Sequence, residues 1–317
     1  MVDQQHFQWN SDEQAQDVNS LAAALVGWNQ EYDQVDVGAF KGSLNSVQLE
    51  GIELFREQLN ITVSQQATTP SHRISLFVPL SLQDDGKTTD QSRCIAYDGL
   101  TLLPYESDVY WVSPAHADYA MIAFDQDYLQ PLLSDADFAA LMSVQRTHAA
   151  QLSSSHLTIL QNNLRQLLNP NQSLLLDERQ FSHSLVDVLL DLTANRNQGE
   201  QRWKPLGNQH LYIVRQSLAY ALSSEGSAAS VLDLCKILNI PRRTLNYSFE
   251  KVTGIAPSKY LRYIRLNQIR RALLGSDEPI GDIAARYGFS HQAYFGKEYR
   301  VLFGETPSAT RQKKRLW

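Results

Sequence analysis

Residues 230–254, SVLDLCKILNIPRRTLNYSFEKVTG, and residues 279–304, PIGDIAARYGFSHQAYFGKEYRVLFG, decide how the second half of the chain folds. In the first segment Ser230 stands three residues before Asp233, a capping box at the start of a helix. Val231, Leu234 and Leu238 then make an apolar face of about two turns. Asn239-Ile240-Pro241 interrupts it, with Pro241 preset for the first turn of a new helix. That helix turns Leu245 and Phe249 inward and leaves Arg242, Arg243, Asn246 and Tyr247 outside. The second segment repeats the grammar. Ile280, Ile283 and Ala284 face inward, Gly288 makes the turn, and Ser290 is the expected cap of the next helix. His291, Gln292, Ala293, Gly296 and Lys297 fall outside, while Tyr294, Phe295 and Tyr299 are expected to hold it to the core. Two short helices around a tight turn, the second offering Arg and Asn, have the spacing of a helix-turn-helix built for the major groove. The sequence thus predicts two units, about 230–251 and 279–301.

Between them PSKYLRYIRLNQIRRALLG, 257–275, reads as one long helix. Its Tyr260, Leu261, Ile264 and Leu273 are placed to join two small cores, and Arg262, Arg270 and Arg271 are expected to be available for phosphates. The tail RQKKRLW is also basic. The net charge of −6 hides an uneven distribution. Residues 1–199 hold 9 Lys+Arg against 25 Asp+Glu, and residues 200–317 hold 19 against 9. A basic back joined to an acidic front suggests two tasks, the basic one directed at nucleic acid. The polar stretch 195–209 marks the change of sign and is the expected linker. With 317 residues the chain suits two domains, 1–200 and 201–317.

Towards the front the pattern changes. The first 20 or so residues are polar and expected to be loose. Leu21, Leu25, Trp28 and Tyr32 predict a short helix. From about 38 to 125, GAFKGSL, VQLEGIELF, ITVSQQA, RISLFVPL, RCIAY, LTLLP, DVYWVS and YAMIAFD read as strands, with DDGK at 84–87 and YDGL at 97–100 as hairpin turns. About 127–196 reads as helical. Leu157, Leu160, Leu164, Leu167 and Leu168 form one stripe, and Phe181, Leu185, Val188, Leu189 and Leu192 a second. The fold class is therefore α+β: a strand-rich sandwich or small barrel with flanking helices, then an all-α domain.

The chemistry of enzymes is missing from the pattern. The eight histidines are scattered, HExxH is absent, and no GxSxG elbow, P-loop or GxGxxG occurs. No catalytic residue, metal or cofactor is expected. Cys94 and Cys235 are lone thiols, as suits a reducing compartment, and Cys94 reads as a small buried apolar residue. No apolar run approaches the roughly 20 residues of a membrane span, so a cytoplasmic protein is expected. Phe77, Tyr97, Tyr105, Tyr110 and Trp111 are the aromatics best placed to line a pocket, although strand aromatics are ordinarily core.

The back of the chain resembles the DNA-binding domain of the AraC/XylS family of bacterial transcription regulators. The match is carried by IAARYGF…YF…Y…FG..P…R over 283–311 and by TLNYSFEKVTGIAPSKYLRYIRL over 244–266. Three positions depart from the family pattern: Pro279 replaces a small hydroxyl cap, Tyr299 a phenylalanine, and Thr310 an aromatic. At Pro279, Asp282 is expected to compensate through the helix dipole. SVLDLCKILNIPRRTL and IRLNQIRRALL, with WNQEYDQVDVGAFKGSL and IELFREQLN in front, are similar to regulators of ethanolamine-utilisation operons. The resemblance implies a cupin-like front that binds a small-molecule effector and dimerises. An ethanolamine-like effector is one candidate, since members with similar fronts sense different molecules. It also implies binding to double-stranded promoter DNA, activation, and RNA polymerase as a partner. Mapped by motif position, Arg243, Asn246 and Tyr247 of the first unit, and Gln292, Ala293, Gly296 and Lys297 of the second, fall at the DNA, and the adjoining Arg242 and His291 are further DNA-contact candidates. Phe77, Tyr97, Tyr110 and Trp111 are the effector candidates. Two other readings are open at this point: a cupin-fold enzyme with a nucleic-acid-binding appendage, and a DNA-binding dimer that ignores ligands.

Overall fold

The computed structural model describes residues 8–25, 27–82, 95–143, 148–150, 154–169, 178–194, 203–205, 209–223 and 229–313. The DDGK turn, Cys94, most of the linker and the end of the basic tail lie outside them.

Four layers stack through the molecule, and strand alternation sorts residues among them. The larger sheet contains β1 (Gln8–Ala15), β3 (Gly42–Leu49), β4 (Ile52–Leu59), β6 (Arg73–Ser81), β7 (Leu100–Leu103), β9 (Asp118–Asp125), β10 (His148–Ala150) and β11 (Trp203–Pro205). Its order is β1-β3-β4-β9-β6-β7-β10-β11, antiparallel throughout. The smaller sheet contains β2 (Asn29–Gln34), β5 (Val63–Thr68) and β8 (Asp108–Val112), ordered β2-β5-β8. Along β4, Ile52 and Leu54 face one way, towards helices α4 (Ser154–Leu167) and α5 (Glu178–Ala194), while Phe55 and Leu59 face the smaller sheet. β6 and β9 divide likewise, with Leu76 and Ile122 on the helix side and Phe77 and Met121 on the sheet side. A sheet covered on both faces needs apolar residues at nearly every position, which is why RISLFVPL has no polar alternation.

Two expectations at the front are corrected. The polar start is not loose throughout, because Gln8–Ala15 pair with β3 across an irregularity at Trp9–Ser11. The helix placed over Leu21–Tyr32 is α1, Val18–Ala24, capped by Asp17. It is cut off near Gly27, whose φ is +87, and Asn29 onward become β2, paired with β5. The short helices α2 (Gln126–Leu129) and α3 (Asp135–Met142) follow β9 as expected. However, 148–150 and 203–205 are not helical or linker; they join the larger sheet as β10 and β11.

Both apolar stripes pack against the molecule's own sheet. Leu164, Leu168, Leu185 and Leu192 share a core with β4, β6 and β9 and are essentially inaccessible. Neither stripe is free to serve as a dimer contact.

The back is built from α6 (Gln209–Leu222), α7 (Val231–Ile237), α8 (Arg242–Thr253), α9 (Pro257–Gly275), α10 (Ile280–Arg286), α11 (Gln292–Phe303) and α12 (Pro307–Lys313). The Ser230–Asp233 capping box forms in both directions. α8 and α11 each end on a left-handed glycine, Gly254 and Gly304. α11 begins after His291, without a side-chain cap, so Ser290 does not take the role expected of it. Tyr260, Leu261, Ile264 and Leu273 of α9 lie in one continuous core with Leu234, Leu245, Phe249, Ile283, Phe295 and Tyr299. That core also takes in Val35, Tyr110 and Val112 from the outer face of the smaller sheet.

Candidate nucleic-acid interface and sandwich chamber

A short helix, a tight turn and a longer helix occur twice, as α7–α8 and α10–α11. α8 turns Leu245 and Phe249 inward, both fully buried, and exposes Arg242, Arg243 and Tyr247, with Asn246 half-buried. Its first turn has no side-chain cap, so the free N–H groups and the positive end of the dipole stand beside two arginines. Tyr247 is held in place: His210 meets its ring edge-on at 5.0 Å, and Lys251 Nζ lies 5.4 Å from its centroid. On α11, His291, Ala293 and Lys297 are exposed and Gly296 is half-buried. Gln292 occupies the first position of that helix. Tyr294 is not a core residue; it is 54% exposed and accepts the cationic face of Arg262 at 6.0 Å.

The three arginines assigned to phosphates are engaged elsewhere. Arg262 binds Glu298 at 2.6 Å. Arg270, only 5% exposed, is held between Asp17 of the front and Glu305 at 2.7 Å. Arg271 is paired with Asp33 at 2.8 Å and Glu31 at 2.6 Å. Burial raises the Asp17 carboxyl, but the neighbouring guanidinium of Arg270 and two bonds from Asn19 outweigh it, leaving it below its ordinary value. Part of the acidic front thus neutralises part of the basic back. The physical reason was hidden from the charge count, because net charge does not say which cations face which anions.

The seam between front and back is polar and dense. The Asn267 amide accepts from the Gln34 N–H and donates to the Gln34 carbonyl, both at 2.9 Å, extending β2 as a strand neighbour would. The hydroxyls of Tyr110 and Tyr260 lie 2.8 Å apart, and Tyr260 donates to Ser64 at 2.7 Å. Gly38 donates to the Leu302 carbonyl at 3.0 Å. Beside it, a Cβ on Gly304 would come within 3.1 Å of the Ala39 nitrogen. An open cleft of about 640 Å³ runs along this seam, lined in part by Gln30, Glu31, Asp108, Arg215 and Arg271.

A second, smaller space of about 40 Å³ lies between the two sheets. Phe77 and Trp111 line it, together with Trp28, Phe55, Tyr119 and Glu57. The other candidate aromatics fall elsewhere. Tyr110 follows strand alternation onto the opposite face from Trp111, where it meets Tyr260. Tyr97 packs at the edge of the sandwich core without reaching the space, and Tyr105 is 40% exposed. The rings form a connected set. Phe77 stacks on Tyr119 at 4.8 Å, and Trp111 meets both edge-on at 5.2 and 5.0 Å.

Glu57 is the residue that sequence reading missed. It is 2% exposed, and one oxygen, Oε2, accepts the hydroxyls of Tyr32 at 2.9 Å and Tyr119 at 2.5 Å. Burial pushes its carboxyl up to about 7 against the pull of those two bonds. A signal existed, since the alternation in IELFREQL puts Glu57 on the inward face with Phe55 and Leu59.

This combination defines a class: helix-turn-helix elements docked on a two-sheet sandwich that has a small lined interior. Comparison with known proteins finds matches to part of the chain. Residues 234–313 match the family model described as a helix-turn-helix domain. The chain is 32% identical to the HTH-type transcriptional activator RhaR of Yersinia pestis bv. Antiqua (strain Angola) over 129 residues, 41% of this chain and 43% of that protein. It is 29% identical to the HTH-type transcriptional activator RhaS of Pectobacterium carotovorum subsp. carotovorum (strain PC1) over 136 residues, 43% and 46% of the two. Among solved structures, a transcriptional regulator with an AraC-type DNA-binding domain from Chromobacterium violaceum is 30% identical over 32% of this chain and 94% of that one, with a TM-score of 0.29. The chain thus spans less than half the length of the curated relatives it matches. Its back carries a helix-turn-helix domain, and these relatives are transcription regulators, not enzymes.

Proposed function

We propose that the protein is an AraC/XylS-type transcription activator that binds double-stranded DNA through α8 and α11, two helix-turn-helix units, under control of a small molecule bound in a cupin-like front. The observation that carries this reading is α8. It is an amphipathic helix within the matched helix-turn-helix domain, and its outer face offers Arg242, Arg243, Asn246 and Tyr247 to solvent. Arg suits O6 and N7 of guanine, and Asn suits N6 and N7 of adenine. Ala293 and Gly296 give α11 less to read with, so α8 is the main reader, and Lys297 serves a phosphate. The sandwich chamber supports effector binding, because two of the four effector candidates, Phe77 and Trp111, meet there. An ethanolamine-like effector rests on the front resemblance alone. A homodimer acting on RNA polymerase completes the proposal.

Selection of sites from random duplexes by the full chain tests it. A defined consensus is expected, and Arg243→Ala relaxes it at one position. Binding with no sequence preference in the parent protein contradicts the proposal.

A further inference from the structure

Gln34, the last residue of β2, is a junction of three parts of the molecule, and it is 2% exposed. Its backbone holds α9. The N–H donates to Asn267 Oδ1 and the carbonyl accepts from Asn267 Nδ2, both at 2.9 Å. Asn267 Nδ2 also donates to the Tyr263 carbonyl of its own helix at 2.8 Å, which locks the amide in this orientation.

The side chain of Gln34 holds α11. Its Nε2 lies 2.5 Å from the Leu302 carbonyl, and 2.7 and 2.8 Å from the carbonyls of Gly38 and Asp36. The Gly38 N–H donates to the same Leu302 oxygen at 3.0 Å. Leu302 stands in the last turn of α11, where carbonyls have no partner within the helix and carry the negative end of its dipole. Two donors from the front thus fill a position that the helix leaves open. The matching carbonyl of α8 is that of Val252, also two residues before a terminal glycine. It receives no donor from the described residues of the front. Among the described residues, then, the front grips the end of α11 in a way it does not grip α8.

That asymmetry bears on DNA. Two reading helices on one chain meet successive turns of a duplex only at a set separation and angle, so the spacing of subsites mirrors protein geometry. α9 joins the pair α7–α8 to the pair α10–α11, so fixing α11 against α9 fixes one pair against the other. Apolar contacts between α9 and α11 share a core but are not directional, whereas the bonds of Gln34 are. We propose that Gln34 is a positioning residue for DNA reading, one that sets the angle of α11 against α9 and hence the subsite spacing the protein accepts. It touches no DNA itself. This rests on α8 and α11 being the DNA-reading helices.

The test measures binding of the full chain to three duplexes. These are the selected site, that site with one base pair inserted between its subsites, and that site with the α11 subsite scrambled. The insertion turns one subsite by about 35° relative to the other. The parent protein should bind both altered duplexes about tenfold more weakly, the loss of roughly one well-read base pair. Gln34→Met keeps the length of the side chain and removes its N–H donors. It should bind the selected and inserted duplexes equally, and the scrambled duplex as the parent does. If that variant does not fold, Gly304→Ala disturbs the same contact from the α11 side, since its methyl would come within 3.1 Å of the Ala39 nitrogen. It should likewise narrow the gap between the selected and inserted duplexes. A variant that discriminates spacing as sharply as the parent overturns the proposal. So does a uniform loss on all three duplexes, which a purely structural role would give. A parent protein that selects a site yet accepts both spacings overturns it too, and leaves the regulator reading standing. A parent protein that selects no site removes both.

Discussion

At the residue scale, single side chains explain both what departs from the family pattern and what the pattern does not mention. Tyr299 and Thr310 each depart from the usual aromatic, and the structure shows that the two departures answer each other. Their hydroxyls lie 2.8 Å apart, and Arg270 reaches both, at 3.4 and 3.2 Å. Tyr299→Phe removes the phenol from this buried group and should cost about 1–2 kcal/mol in urea unfolding; no loss would mean that the contact contributes nothing. Glu57 sets a pH dependence. Its folded-state carboxyl, at about 7, lies above its ordinary value of 4.5, so the folded chain takes up a proton that the unfolded chain does not. Stability should therefore fall as pH rises from about 5 to 8, by up to about 3 kcal/mol from this group. Asp33, raised to about 6 mainly by burial, adds in the same direction. Thermal melts across that range should slope downward with pH, and Glu57→Gln should flatten most of the slope. An unchanged slope in the variant would place its origin elsewhere.

At the element scale, β2 shows where sequence reading succeeds and where it fails. Trp28 and Tyr32 are four apart, a spacing that keeps two residues on one face of a helix and of a strand alike. Periodicity could not separate the two, and pairing with β5 decided it. In the back, the helix pairs α7–α8 and α10–α11 were legible because Pro241, Gly288 and the 3.6-residue apolar spacing all agree. The seam was not legible, because Gln34 and Asn267 are 233 residues apart in the chain and neither carries a motif. The Gln34 backbone N–H donates to the Asn267 amide oxygen, and the amide nitrogen donates to the Gln34 carbonyl. Asn267→Leu orphans both groups, at roughly 1–3 kcal/mol each. Urea unfolding should show the loss, and hydrogen exchange should localise it to β2 and α9. A change below about 0.5 kcal/mol would mean that water replaces the amide and the seam is loose.

At the scale of the whole molecule, charge and packing correct one another. The excess of basic groups in residues 200–317 suggested a broad phosphate-binding surface, yet Arg262, Arg270 and Arg271 are ion-paired within the chain. Fewer cations are left for DNA, so the slope of log K against log salt should correspond to roughly three to six phosphates at about −0.9 each. A slope near zero would remove electrostatic docking from the account. The leucine stripes, buried against the larger sheet, change what dimerisation can mean. A dimer should still sediment when Leu164 is altered, whereas Leu164→Ala should lower stability by about 2–5 kcal/mol through a core cavity. Dissociation without destabilisation would place the stripe at the interface.

The central claim is that a sequence-reading helix, α8, works from this four-layer body. Site selection by the full chain, run beside Arg243→Ala and Lys297→Ala, tests it most directly. The account predicts a defined consensus for the parent protein. Arg243→Ala should lose about 1–3 kcal/mol on that site and tolerate any base at one position, while Lys297→Ala weakens all sequences alike. An identical consensus from Arg243→Ala, at undiminished affinity, would contradict it.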